Sequence, residues 1–374
     1  MRLPVFLLDR WLSAYEHAVP EMRYNLASSA GPDWTLNDLM SLAGEPLAAL
    51  GDIRLSYAPA QGSKELRTLV ARLYDVDPDW VALTTGASEA LVAEYCLASE
   101  PGASIVLPAP MYPAMVPMAQ AWGLKVATYR LERASGFAYS ADRVLAAVDE
   151  TTRLVVVITP HNPTGSVIAF GELARLAAQL AERRIPLLVD EVYHPLYFGT
   201  RPPSAAKLPN AVVVSDLSKA FSLPGLRIGW VIEPDAERRE RLVDLRSYIS
   251  VSGSPLTEAV AAYALRNVEP ILGRLNGVAR ANLSALEQFM GMHRADLGWI
   301  SPTGGTVAFP WLLDERDTRP LCRALAKEGV LFAPGDCFDA PAHFRIGFGR
   351  LAHGIDDALQ IASQVLRRAP SSDS

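Results

Sequence analysis

Residues 215–230 read Ser215-Asp216-Leu217-Ser218-Lys219-Ala220-Phe221-Ser222-Leu223-Pro224-Gly225-Leu226-Arg227-Ile228-Gly229-Trp230. An apolar run at 211–215 precedes the segment and another, 227–232, closes it. Both read as buried strands. The small-polar loop between them carries one lysine, Lys219, and Arg227 follows eight residues later. A lysine in a loop is ordinarily a solvated charge. Partly desolvated beside other cations, it has a lowered pKa and becomes a usable nucleophile and base. Arginine adds a planar fork suited to phosphate oxygens.

The same kind of strand recurs on either side. Residues 104–107, 125–129, 154–159 and 186–189 are short, apolar and mostly non-alternating, as strands buried on both faces of a parallel sheet are. Helical patterns separate them. Leu173, Leu176, Ala177 and Leu180 recur at helix spacing and lead to the basic pair Arg183-Arg184. The alternation predicts an α/β class chain with a large domain over 45–265. A long helical stretch at 258–295, strands near 306–311 and 343–348 and a helix at 319–328 predict a smaller α+β domain over 266–374. Residues 1–44 show no buried strand and read as an arm packing on that domain and the active site. The polar tail 371–374 is expected to be disordered.

Bulk properties narrow the partners. The net charge of -6 across 374 residues argues against nucleic acid and anionic membranes. Three widely spaced cysteines suit a reducing compartment and suggest no metal. The apolar start is broken by Asp9 and Arg10, and no run approaches the roughly 20 apolar residues of a membrane span. A cytoplasmic protein is expected.

Four further strings carry chemistry. Val189-Asp190-Glu191-Val192-Tyr193 ends a strand with a carboxylate and a phenol. Pro160-His161-Asn162-Pro163-Thr164-Gly165 follows another strand, with His161 read as structural. Thr84-Thr85-Gly86-Ala87-Ser88-Glu89 opens a helix with small residues, leaving backbone N–H groups for a phosphate. Phe344-Arg345-Ile346-Gly347-Phe348 places an arginine on a late strand. Two tyrosines, Tyr57 and Tyr112, stand in loop-like contexts.

In order and spacing these strings, from about Tyr57 to Gly349, resemble the class I/II aminotransferases, pyridoxal 5'-phosphate (PLP) enzymes of fold type I with an aspartate-aminotransferase-like large domain. The resemblance implies that Lys219 carries the cofactor as a Schiff base and later moves the substrate α-proton. It implies Asp190 at the pyridine nitrogen, and Tyr193 and Asn162 at the ring's 3-oxygen. Ala87, Ser88, Ser218 and Arg227 fall at phosphate positions, and Tyr112 at the ring-stacking position. Arg345 would bind the substrate α-carboxylate, beside Asn162. Tyr57 would reach the phosphate of a neighbouring subunit, which implies a homodimer with shared active sites.

Position 216 departs from the pattern, which has Ser or Thr there to donate to the phosphate. An ionised Asp216 cannot donate. It is expected to turn to a cation such as Arg227, to be protonated, or to face the substrate. The segments 10–29 and 246–255 resemble a branch that includes capreomycidine synthase and arginine-oxidising PLP enzymes. In that branch the N-terminal arm covers the substrate, which makes Glu16 and Ser28 candidate substrate contacts. The expected activity is amino transfer between an α-amino acid and a 2-oxo acid. A cyclase or oxidase acting on an arginine-like amino acid is the alternative, with a non-catalytic PLP-binding protein a third.

Overall fold

A computed structural model describes residues 3–16 and 22–368. Residues 371–374 and the side chain of Glu16 lie outside the described residues. Among the described residues, seven strands form the largest sheet: β1 (Val81–Thr84), β2 (Ser104–Ala109), β3 (Lys125–Arg130), β4 (Thr152–Ile158), β5 (Leu187–Asp190), β6 (Ala211–Asp216) and β7 (Gly229–Ile232). Their order is β1-β7-β6-β5-β4-β2-β3. β7 runs antiparallel to both neighbours, and every other pair is parallel.

The absence of alternation has a direct cause. Val155, Val157, Leu187, Val189 and Val213 enter one apolar cluster, together with Leu173, Leu176 and Leu180 of the helix Phe170–Glu182. Leu154, Val156, Ile158, Leu188, Val212 and Val214 enter another, with Ala90 and Leu91 of the helix Gly86–Leu97. Both faces of the sheet are dry, so apolar residues stand at consecutive positions. Each buried Val or Leu contributes about 1.5–3 kcal/mol.

Some elements differ from expectation. β1 is not visible in the sequence, since four residues are too few to show a period. Its identity as a strand comes from pairing with β7. β7 begins at Gly229, not at 227, because Arg227 takes a left-handed backbone (φ 53°) after the turn Pro224–Leu226. The stretch 258–295 is two helices, Pro255–Arg266 and Val268–Met292, broken at Asn267. The strand expected at 306–311 splits into Val307–Ala308 and Trp311–Leu312 around Pro310, which has no N–H to donate.

A third apolar cluster joins Leu286 and Phe289 of Val268–Met292 to Phe309, Phe332, Phe344 and Ile346. Leu8, Trp11, Tyr24 and Leu26 pack into the same cluster. Contrary to expectation, the early chain does hold a buried strand. Tyr24–Asn25 pairs in parallel with Val330–Leu331. Leu39, further along, belongs instead to the cluster beneath the central sheet.

The segment after Tyr24–Asn25 lies directly on the strand Phe344–Gly347. The Gly347 N–H donates to the Leu26 carbonyl at 2.6 Å, and a Cβ on Gly347 would stand 1.7 Å from the Ser28 oxygen. Gly347→Ala must push these two segments apart. The expected cost is about 2 kcal/mol or more, read as a lower midpoint in denaturant unfolding with a similar slope.

Candidate active site

β4, β5 and β6 end at one level, with Ile158 opposite Asp190 and Asp190 opposite Val214. The chain leaving these carboxyl ends carries Asn162, Asp190 and Lys219 to one edge, where α/β folds place their ligands.

Lys219 is half-buried, and its Nζ donates to Ser29 Oγ at 3.0 Å. Burial pulls its pKa below the ordinary lysine value. Arg345 and Arg227 act in the same direction, against Asp216 and Asp190. The seryl partner is positioned by a local device. Asn25 Oδ1 accepts the backbone N–H groups of Ala27 and Ser28, each at 3.1 Å, and the Ser29 carbonyl accepts from Thr306 Oγ1 at 2.8 Å. Sequence reasoning singled out Ser28 and missed Ser29. Adjacent serines carry no signal that says which one faces the site. Ser28 Oγ instead accepts from the Ala30 N–H at 3.3 Å.

Asp190 is buried, with Oδ1 accepting from the Val192 N–H at 3.1 Å. Burial pushes its pKa up to about 7, helped by the nearby Asp216 charge and opposed by the Val192 bond and Lys219. Such a carboxyl is primed to share a proton with a basic nitrogen. Tyr193 is 1% exposed, and its hydroxyl lies near Ser29 and Thr306 without making a hydrogen bond of good geometry among the described residues. A buried phenol without a good hydrogen bond costs stability unless a ligand satisfies it.

Arg345, 1% exposed, closes the other side of the site. Its Nη1 donates to Asn162 Oδ1 at 3.0 Å and its Nη2 to the Ala27 carbonyl at 2.6 Å. The Phe338 ring lies 5.0 Å from its guanidinium carbon. Tyr112 is half-buried and meets Phe6 edge-on at 5.9 Å. Its phenol pKa is raised by burial, with Arg345, Asp9, Asp190 and Arg227 as the nearby charges. The surroundings of His161 suit the structural reading. The side chain is fully buried, pairs with Thr164 Oγ1 at 2.8 Å, and burial pulls its pKa down to about 3. Tyr57 is 84% exposed.

The helix Gly86–Leu97 begins beside these groups. Thr84, Gly229 and Asp216 stand in register on β1, β7 and β6. A side chain at Gly229 would collide with the Gly86 backbone at 2.5 Å. The glycine therefore lets the helix start settle onto the sheet, within reach of the Asp216 side chain. Ser88 is exposed on the first turn. Arg227 lies against Gly86 and donates to the carbonyls of Pro224 at 3.2 Å and Thr85 at 3.4 Å.

Asp216 does not pair with Arg227 among the described residues. Its Oδ1 accepts from the Ser218 N–H at 2.8 Å, and its Oδ2 from Ser218 Oγ at 2.7 Å and the Ala87 N–H at 3.3 Å. The expected cation partner is replaced by a serine and the helix start.

Charge and shape fit PLP: a half-buried lysine, a proton-holding carboxyl, a buried phenol and a helix start flanked by an arginine. The family model for "Aminotransferase class I and II" matches residues 24–361. Capreomycidine synthase of Streptomyces vinaceus is 32% identical, over 97% of this chain and 94% of its own length. Valine–pyruvate aminotransferase of Mycobacterium tuberculosis is 29% identical, over 96% and 95%. A crystal structure of a PLP-dependent aminotransferase from Streptococcus suis superposes with a TM-score of 0.91 at 27% identity, over 100% of both chains. With a match running from the first buried strand into the middle of the last helix, this chain belongs to the class I and II aminotransferases and uses pyridoxal 5'-phosphate.

Proposed function

We propose that this enzyme's amino transfer, between an α-amino acid and a 2-oxo acid, is carried by Lys219 as cofactor anchor and proton carrier. The bound cofactor supplies an electron-accepting ring. Asp190 holds a proton at the ring nitrogen, which keeps the ring an acceptor. Tyr193 and Asn162 would donate to the ring's 3-oxygen, and Tyr112 would cover the ring face. Ala87, Ser88, Ser218 and Arg227 hold the phosphate. Lys219 Nζ would take the substrate α-proton and hold it for return. Ser28 and Glu16 are assigned to the substrate side by resemblance alone.

The observation that carries this reading is the placement at one sheet edge of a lysine whose pKa is lowered and a carboxyl that holds its proton, beside the buried Tyr193 phenol. The purified protein should absorb in the visible, and borohydride should fix the cofactor on Lys219. A label on another lysine would sink the assignment.

Arg345 is the proposed carboxylate clamp, since its fork is held rigid by Asn162 and Ala27. Lysine cannot reproduce the two parallel bonds. Arg345→Lys is expected to raise the amino-acid KM about a hundredfold while the cofactor absorbance stays unchanged. Steady-state kinetics with a spectrum of each preparation checks both halves.

A second reading, cyclisation or oxidation of an arginine-like amino acid, is favoured by the likeness to capreomycidine synthase. Amino transfer without a 2-oxo acid acceptor yields one equivalent of product per site. Repeated turnover with oxygen consumed or water lost would favour the second reading.

The proposal includes a homodimer in which Tyr57 reaches the neighbouring phosphate. Leu55, Tyr57 and Tyr248 are exposed as a buried interface would require. Light scattering should give twice the chain mass. It also includes a cytoplasmic location, in keeping with three free cysteines, and a division into an arm, 1–44, a cofactor-binding domain, 45–265, and a small domain, 266–374. No helix among the described residues is long and apolar enough to cross a membrane.

A further inference from the structure

Asp216 stands among the groups assigned to the phosphate. Its carboxylate already takes the Ala87 N–H, a backbone donor at the helix start, and both donors of Ser218. The side chain is 5% exposed, so water screens it little. Lys219 and Asp190 both feel its charge. Arg227 reaches the same helix start and donates to the carbonyls of Pro224 and Thr85, not to this carboxylate. The cradle therefore contains an anion of its own.

We infer that the Asp216 carboxylate competes with the cofactor phosphate for this cradle and holds the affinity for PLP below what the remaining donors would give. The inference rests on the phosphate-cradle assignment made above. A phosphate entering the site must either share the Ala87 and Ser218 donors with a like charge or turn Asp216 away from them. Two anions in one partly enclosed site repel more strongly than in water. The neighbouring arginine attracts both and removes neither. A neutral residue at 216 takes away the repulsion and returns the donors to the phosphate.

Pyridoxal separates this effect from any influence of Asp216 on Lys219, because it has the same aldehyde and ring and no phosphate. The full chain, stripped of cofactor, is titrated with PLP and separately with pyridoxal, following visible absorbance. Asp216→Asn keeps the shape, and Asp216→Ser restores a hydroxyl donor. Both are expected to tighten PLP at least about tenfold while pyridoxal changes by less than about twofold. Unchanged or weakened PLP binding in both variants overturns the inference. So does a parallel shift for both aldehydes, which would mean that Asp216 acts on the lysine or its loop. If wild type and variants alike take up neither aldehyde, the site assignment itself fails and the inference with it.

Discussion

Replacing Lys219 by alanine is expected to lower amino transfer at least about ten-thousandfold, the upper range for one acid–base group, because the proposed covalent anchoring would be lost as well. The other cofactor groups stay in place, so PLP should still bind, without the absorbance of a lysine-bound cofactor. Among the described residues the Nζ of Lys219 has one hydrogen-bond partner, Ser29, and deleting it removes a cation whose charge Asp216 and Asp190 feel. Small primary amines should restore part of the rate, since they can enter the space left by the side chain. Stopped-flow kinetics with and without such an amine provides the check. A variant retaining more than about a hundredth of wild-type activity would mean that another group moves the proton.

Asp190→Asn is the second large effect. The amide is nearly isosteric but cannot hold a proton on a basic nitrogen, so the rate should fall about a thousandfold with modest change in KM. The cofactor-free protein gives an independent signature. Burial pushes the Asp190 pKa up to about 7, above its value in the unfolded chain. Protons therefore bind the folded state more tightly. That contribution to stability is complete below the unfolded pKa and is lost as pH rises through about 7. Asp190→Asn removes it, so denaturant midpoints between pH 5 and 8 should vary less with pH than in wild type. An identical pH profile would show that Asp190 titrates normally.

Much of this site is legible in the sequence because its chemistry sits in contiguous strings at strand ends. Lys219, Asp190 and Asn162 each follow an apolar run, and adjacent parallel strands must bring them to one edge. Arg345 is legible from its string alone, although its approach to Asn162 spans 183 positions. What escapes is what tertiary packing decides. Ser29 and Ser28 are chemically equal neighbours, and the Asn25 turn and Thr306 choose between them. β1 and Tyr24–Asn25 are too short to have a period, and both are defined by their partners. Asp216 is visible as an anomaly, but its turn towards Ala87 depends on Gly229, thirteen positions later, presenting no side chain.

The segment from Tyr24 to Ser29 is hydrogen-bonded at one end to Val330–Leu331 and Gly347 and at the other to Lys219. For protein engineering, this makes the molecule non-modular at an unobvious place. A chimaera that exchanges the C-terminal part with a relative inherits a seam between a foreign strand and the native Leu26–Ser28 backbone, where a gap of one methyl group is already absent. Swaps that carry residues 22–31 along with residues 297–349 should fold, and swaps that leave this stretch behind should not.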